Sequence, residues 1–330
     1  MRMNRKQIKL PISANSLILI IVMMIITVIF TAINKNFFTG ANFVNILIAS
    51  VQIGLTSIGI TFLMMTGGTD LSAGAVAAAC SVFVAWGLLN TGLSWVVLCL
   101  IALLIAAFAG LLNGLMVTKL KLVPFIATLV SQSLWKGVGF LICNGKPLVL
   151  SDKGLSAFCK NRLLGVPYTV YLMFVLFIIF GYILAKTKFG RSIFAIGGNA
   201  EAARLAGINS TKIKILCYVM TSVFAAMAGI ILAGRMSSSN PASNANIHFD
   251  AITAANLGGV SMVGGVGSIP SVVLGVLLVQ AFNSGLNMIG VSQYWQYVAR
   301  GVLLFGSLAI DYYRQVAREK RLLADSMKHL

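Results

Sequence analysis

Long apolar runs, separated by short polar or charged intervals, dominate this chain. Ten of them reach or approach the roughly 20 residues that an α-helix needs to cross a bilayer. They predict helices near 16–33, 43–66, 71–89, 93–117, 122–142, 167–185, 213–234, 251–266, 270–289 and 294–313. Two runs are irregular. The one at 122–142 carries Ser131, Gln132, Ser133 and Lys136, and the one at 251–266 is short and rich in glycine. Either reads also as a re-entrant or broken segment, which makes eight the fallback count. The first run is long for the apolar core of a cleaved leader, and no small-residue cleavage pattern follows it. The expected fold class is an all-α integral membrane protein, a single transmembrane domain over residues 1–330 with tails at 1–15 and 314–330.

Composition agrees. Apolar residues are 58% of the 330 and charged residues only 10%, where a soluble domain carries about 25% charge. Soluble, disordered and collagen-like classes are thereby excluded. Of the 32 charges, 23 fall in four stretches: 1–9, 146–162, 186–214 and 314–328. The net charge of +18 reads as basic loops on the cytoplasmic side. It does not read as a nucleic-acid surface, since no basic patch with interleaved aromatics occurs. With ten spans and a cytoplasmic N-terminus, 17 basic residues fall inside and 6 outside, so both termini are expected in the cytoplasm. Lys136 and Arg300 lie within spans and are expected to snorkel.

Enzymatic chemistry is missing from the sequence. No Walker A loop, nucleophile elbow or zinc motif is present. The cysteines and the two histidines, His248 and His329, have no metal-ligand spacing. Cys143 and Cys159 flank one external loop, which leaves a disulfide there open. Intramembrane acids are scarce. Asp70 alone falls near the bilayer interior, while Asp250 and Asp311 fall at span ends, so an ion-coupled carrier lacks obvious ion sites.

Three motifs remain. The loop 189–214 holds a short helix near 199–209: Asn199 suits the N-cap, Glu201 the first turn, and Gly207 a left-handed C-cap. Ser210 or Thr211 is expected to cap the helix that follows. A one- to two-turn helix is unstable alone, so it is either a solvated connector or an element docked on a partner through the small Ala202, Ala203 and Ala206. The second motif is Gly67-Gly68-Thr69-Asp70-Leu71-Ser72-Ala73-Gly74. It reads as a tight turn or as part of a pathway, with Asp70 capping a helix that begins at Leu71. The third is a polar set within the later spans, Asn256, Gln280, Asn283 and Asn287. Gln280, Asn283 and Asn287 share a helix face, either lining a route for a neutral solute or gluing helices together.

These residues carry a resemblance. Glu201-Ala202-Ala203, Arg204 and Gly207 resemble the docking loop of ATP-binding-cassette importer permeases. The run GRSIFAIGGNAEAARLAGI is similar to the ribose-type sugar permease family. So are the segment Gly67–Gly74, the glycine-rich segment Gly258–Ile269 and Asn283-Ser284-Gly285-Leu286-Asn287. The resemblance covers about residues 37–313. It implies a permease subunit in the bacterial cytoplasmic (inner) membrane, paired with a second copy or a homologue. It also implies a cytosolic ATPase that holds ATP and Mg, and a periplasmic or lipid-anchored sugar-binding protein. The permease itself would hold no cofactor and be no enzyme; pentose, hexose and polyol substrates all stay open. The rival classes are an ion-coupled secondary sugar carrier and a membrane-embedded enzyme.

Overall fold

The computed structural model describes residues 14–150, 153–243 and 246–327. The described residues form thirteen α-helices, one 3-10 turn and four strands of two residues each. Eight helices are long and apolar enough to cross a membrane: α1 (Ala14–Ile33), α2 (Gly40–Met65), α3 (Ala73–Asn90), α4 (Trp95–Thr118), α5 (Pro124–Ile142), α7 (Tyr168–Lys186), α10 (Ser210–Met236) and α12 (Ile269–Met288).

Helix α2 is the hub. It packs against α7, α10 and α12 and is buried over most of its length, which explains why it is apolar all round instead of on one stripe. Helix α10 is the second hub, against α2, α3 and α4. Small residues permit these approaches. A β-carbon on Gly59 would meet the Thr221 backbone, one on Gly110 the Tyr218 backbone, and one on Gly229 the Ala77 carbonyl. The peripheral helices show the reverse pattern, with Leu104, Phe108 and Ile178 facing outward, as a lipid-exposed surface requires.

Two expected spans take other forms. The segment expected at 251–266 is a helix of eleven residues, α11 (Ile247–Leu257), followed by a loop in which Gly259, Gly264 and Gly265 all have positive φ. A helix cannot continue through left-handed residues, so the element is half a span. The last helix, α13 (Gln293–Met327), runs 35 residues, about 50 Å. Its first two turns, with Gln293, Gln296 and Arg300, are too polar for it to count with the eight. It also takes in residues expected as a free C-terminal tail. Of the expected N-terminal tail, 1–13 lie outside the described residues. The polar run at 122–142 is an unbroken helix from Pro124 to Ile142, in which Thr128 and Ser133 return their hydroxyls to carbonyls one turn back.

At one end of the bundle lie α6 (Lys153–Lys160) and two small ladders, β1 (Leu148–Val149) with β4 (Ser238–Ser239) and β2 (Arg162–Leu163) with β3 (Val166–Pro167). Cys143 and Cys159 are both free thiols here. Cys143 turns its Sγ back to the Gly139 carbonyl, whereas Cys159 packs on Gly234. Burial pushes the Cys159 thiol up to about 12, which disfavours the reactive thiolate. The opposite end holds α8 (Lys188–Gly198) and α9 (Ala200–Leu205). Helix α8, in a region expected to be loop, buries Gly190, Ile193 and Ile196 beneath α7 and α2.

Candidate functional site

Helix α9 is built by its own residues. The Asn199 side chain accepts hydrogen bonds from the amides of Glu201 and Ala202, both at 3.0 Å. At the other end Gly207, at φ +81, donates to Arg204 O, and Ile208 donates to Ala203 O. That pair of bonds is a Schellman C-cap. Arg204 Nε reaches Glu201 Oε2 at 3.1 Å, which holds Glu201 below its usual carboxylate range; both side chains are exposed, so the pair adds little stability. Helix α10 is capped by Asn209, whose side chain accepts from the Lys212 amide, and not by Ser210 or Thr211.

Ala203 turns inward and is buried. It therefore does not belong to an outward face with Ala202 and Ala206. Leu205 does, at 76% exposure, and no motif in the sequence singled it out.

Three glycine segments meet beside α9. Gly265 N donates to Met65 O at 2.9 Å. A β-carbon on Gly197 would strike Met65 O and Gly265 N, and one on Gly67 would lie 3.2 Å from Val263 O. The break after α2, the loop after α11 and the end of α8 thus form one junction. Just beyond it, Asp70 accepts from the Ser72 amide at 2.8 Å and the Ser72 hydroxyl at 2.6 Å, while Asn113 Nδ2 donates to Ser72 Oγ at 2.8 Å. The Tyr218 hydroxyl donates to Thr69 O. Helix α3 therefore begins at Ala73, with Gly74 buried in its first turn, two residues later than a cap by Asp70 would place it. Asp70 ties down the turn that precedes the helix.

At the opposite end is a cavity of about 340 Å³ between α2, α10, α11, α12 and α13. Gln280 and Asn283 line it, and so do Gln52, Arg235, Asp250 and Arg300. Arg300 is paired inward instead of snorkelling. Its Nε donates to Asn283 Oδ1 at 3.1 Å and its Nη1 lies 3.6 Å from Asp250 Oδ2. Arg235, assigned to an external loop from sequence, sits in the last turn of α10 and reaches the Ile48 carbonyl at 3.3 Å. Asn287 does not line the cavity: it accepts from Gln296 Nε2 at 2.8 Å and links α12 to α13. Asn256 is buried in α11 away from the cavity. Opposite charges at a span end and inside a span, Asp250 and Arg300, were the available sequence signal for this pair. No cluster of potential metal ligands occurs among the described residues.

A family model described as "Branched-chain amino acid transport system / permease component" matches residues 42–308. The chain belongs to this permease family. Curated relatives span the permease almost end to end. It is 36% identical to the ribose import permease protein of Bacillus subtilis, over 87% of this chain and 89% of that one. It is 35% identical to the ribose import permease protein of Escherichia coli K12, over 90% and 93%. Against the L-arabinose transport system permease protein of that strain it is 35% identical, over 86% of each. No solved structure matches the permease.

Proposed function

We propose that this chain is the membrane-spanning subunit of an ATP-driven importer for a small sugar, a pentose by the names of its relatives. The observation that carries the reading is the cavity. It is lined by amides and charged donors and acceptors, which suit a solute made of hydroxyl groups, and it lies at the end of the bundle opposite α9. In this reading the cavity opens outward to a periplasmic or lipid-anchored binding protein. Helix α9, with Asn199, Glu201, Ala202, Arg204 and Gly207, faces a cytosolic ATPase.

The ATPase would carry ATP and Mg, since this sequence has no phosphate-cradling loop. A second permease, the same or a homologue, would complete the pathway in a bacterial inner membrane. Residues 1–330 would form one permease domain with both termini inside. The excess of basic residues at the α9 end supports that orientation. Gln280 and Asn283 would contact the passing sugar, with Gly67, Gly68, Asp70, Ser72 and Gly74 holding the inner break.

The family description favours a second substrate, a branched-chain amino acid, whose ammonium and carboxylate groups Asp250 and Arg300 could hold. Uptake by vesicles containing the full importer separates the two. ATP-dependent entry of D-ribose or L-arabinose, not competed by L-leucine, is expected. Leucine uptake without sugar uptake would overturn the sugar reading.

Orientation has its own test. A cysteine in place of Leu164, which is 91% exposed, is expected to react with an impermeant reagent on intact cells. One in place of Leu205 is expected to react only after permeabilisation. The reverse pattern would invert the topology.

A further inference from the structure

The cavity contains more charge than passage of a neutral sugar requires. Asp250, in the first turn of α11, and Arg300, in α13, stand 3.6 Å apart at their closest atoms, with side chains 15% and 32% exposed. That separation exceeds a hydrogen bond. Arg300 Nε donates to Asn283 Oδ1, while its Nη1 is the atom that faces Asp250. Two partly desolvated, opposite charges therefore face one cavity with hydrogen-bonding capacity in reserve. As a mere fastener between helices this is a poor arrangement, because partly buried charges lose hydration and are repaid only by close, well-formed contacts.

Resting on the sugar-importer reading, we propose that Asp250 and Arg300 form a hydroxyl-reading pair, through which the permease itself discriminates among sugars. Each sugar hydroxyl is both a donor and an acceptor. A carboxylate only accepts and a guanidinium only donates. Two neighbouring hydroxyls can therefore bridge the pair, one O–H given to Asp250 and one lone pair offered to the Nη groups of Arg300. Such charge-assisted bonds are about twice as strong as those the amides of Gln280 and Asn246 would make. Asn283 acts as a positioning residue that fixes the plane of the guanidinium. Asn246, Gln280 and Arg235 complete a lining that leaves room for one small solute.

The test is a thermodynamic cycle run on the complete importer in vesicles. Uptake efficiency is measured for the pentose that the wild type takes up best and for each of its monodeoxy analogues, in wild type and in Asp250→Asn. The selectivity of the binding protein enters both forms equally and cancels in the ratio. Loss of the hydroxyl that Asp250 reads is expected to slow wild-type uptake at least tenfold, the scale of a hydrogen bond to a charged group. In Asp250→Asn, whose amide oxygen still accepts at about half the strength, the same loss is expected to slow uptake only about threefold. If every analogue shows the same ratio in both forms, the pair is only a structural link and the inference is overturned. Should Asp250→Asn fail to assemble, Arg300→Lys keeps the charge and removes the fork, and the same cycle on that variant decides. Failure of the sugar reading is distinguishable, since the wild-type importer would then take up neither D-ribose nor L-arabinose.

Discussion

Gly197→Val is expected to remove folded permease from the membrane almost completely. Its β-carbon would fall on Met65 O and Gly265 N, two atoms already joined by a 2.9 Å hydrogen bond. Backbone cannot yield as a flexible side chain does. The substitution therefore breaks that bond or lifts α8 from the break after α2. Overpacking of this kind costs about 3 kcal/mol, and an orphaned carbonyl and amide add to it. Such a sum is a large part of the stability of an ordinary domain. Gly198 is the internal control: it is one residue on, and a β-carbon there meets nothing within 4 Å. Gly198→Ala should give normal amounts of monodisperse protein by fluorescence-detected size-exclusion chromatography, and Gly197→Val little or none. Equal peaks for both would mean that the junction has no structural role.

Gly207→Val is expected to abolish uptake while leaving the permease folded. Space is not the obstacle, since a β-carbon at Gly207 meets nothing within 4 Å. The obstacle is φ +81, which a β-branched residue reaches only at a cost of about 1 kcal/mol or more. In a long helix that cost would fray one end. Helix α9 has six residues and no stability to spare, so losing the Schellman bonds of Gly207 and Ile208 releases Arg204 and Leu205 from their places. Co-purification of the ATPase and ATP-driven uptake should both fall by tenfold or more. Leu205→Asp, which keeps both caps, should reproduce the loss if the exposed leucine is the anchor. Normal uptake and co-purification in both variants would reduce α9 to a connector.

The two expectations separate what the sequence determines from what packing decides. The caps of α9, the left-handed Gly207 and the break after α2 follow from interactions within five residues, so residue identities alone foretell them. The lipid-crossing runs were legible for a similar reason: a bilayer imposes a length and a composition on each helix separately. Other features required the whole bundle. Met65, Gly197 and Gly265 are far apart in the chain, and only the packing of α8 against α2 shows that their backbones touch. Ala203 and Ala202 are the same residue type at adjacent positions, and only the seat of α9 decides which one is buried. Asp250 and Arg300 are separated by α12, and Arg300 looked like a snorkelling residue until α11 proved to be half a span. Once the positive-φ glycines end that helix at Leu257, α13 can bring its arginine alongside Asp250 and Asn283. A membrane span carries the pattern of its lipid-facing side, but the partner of a buried charge is set by which helices lie next to it, and that depends on the sum of many long-range contacts.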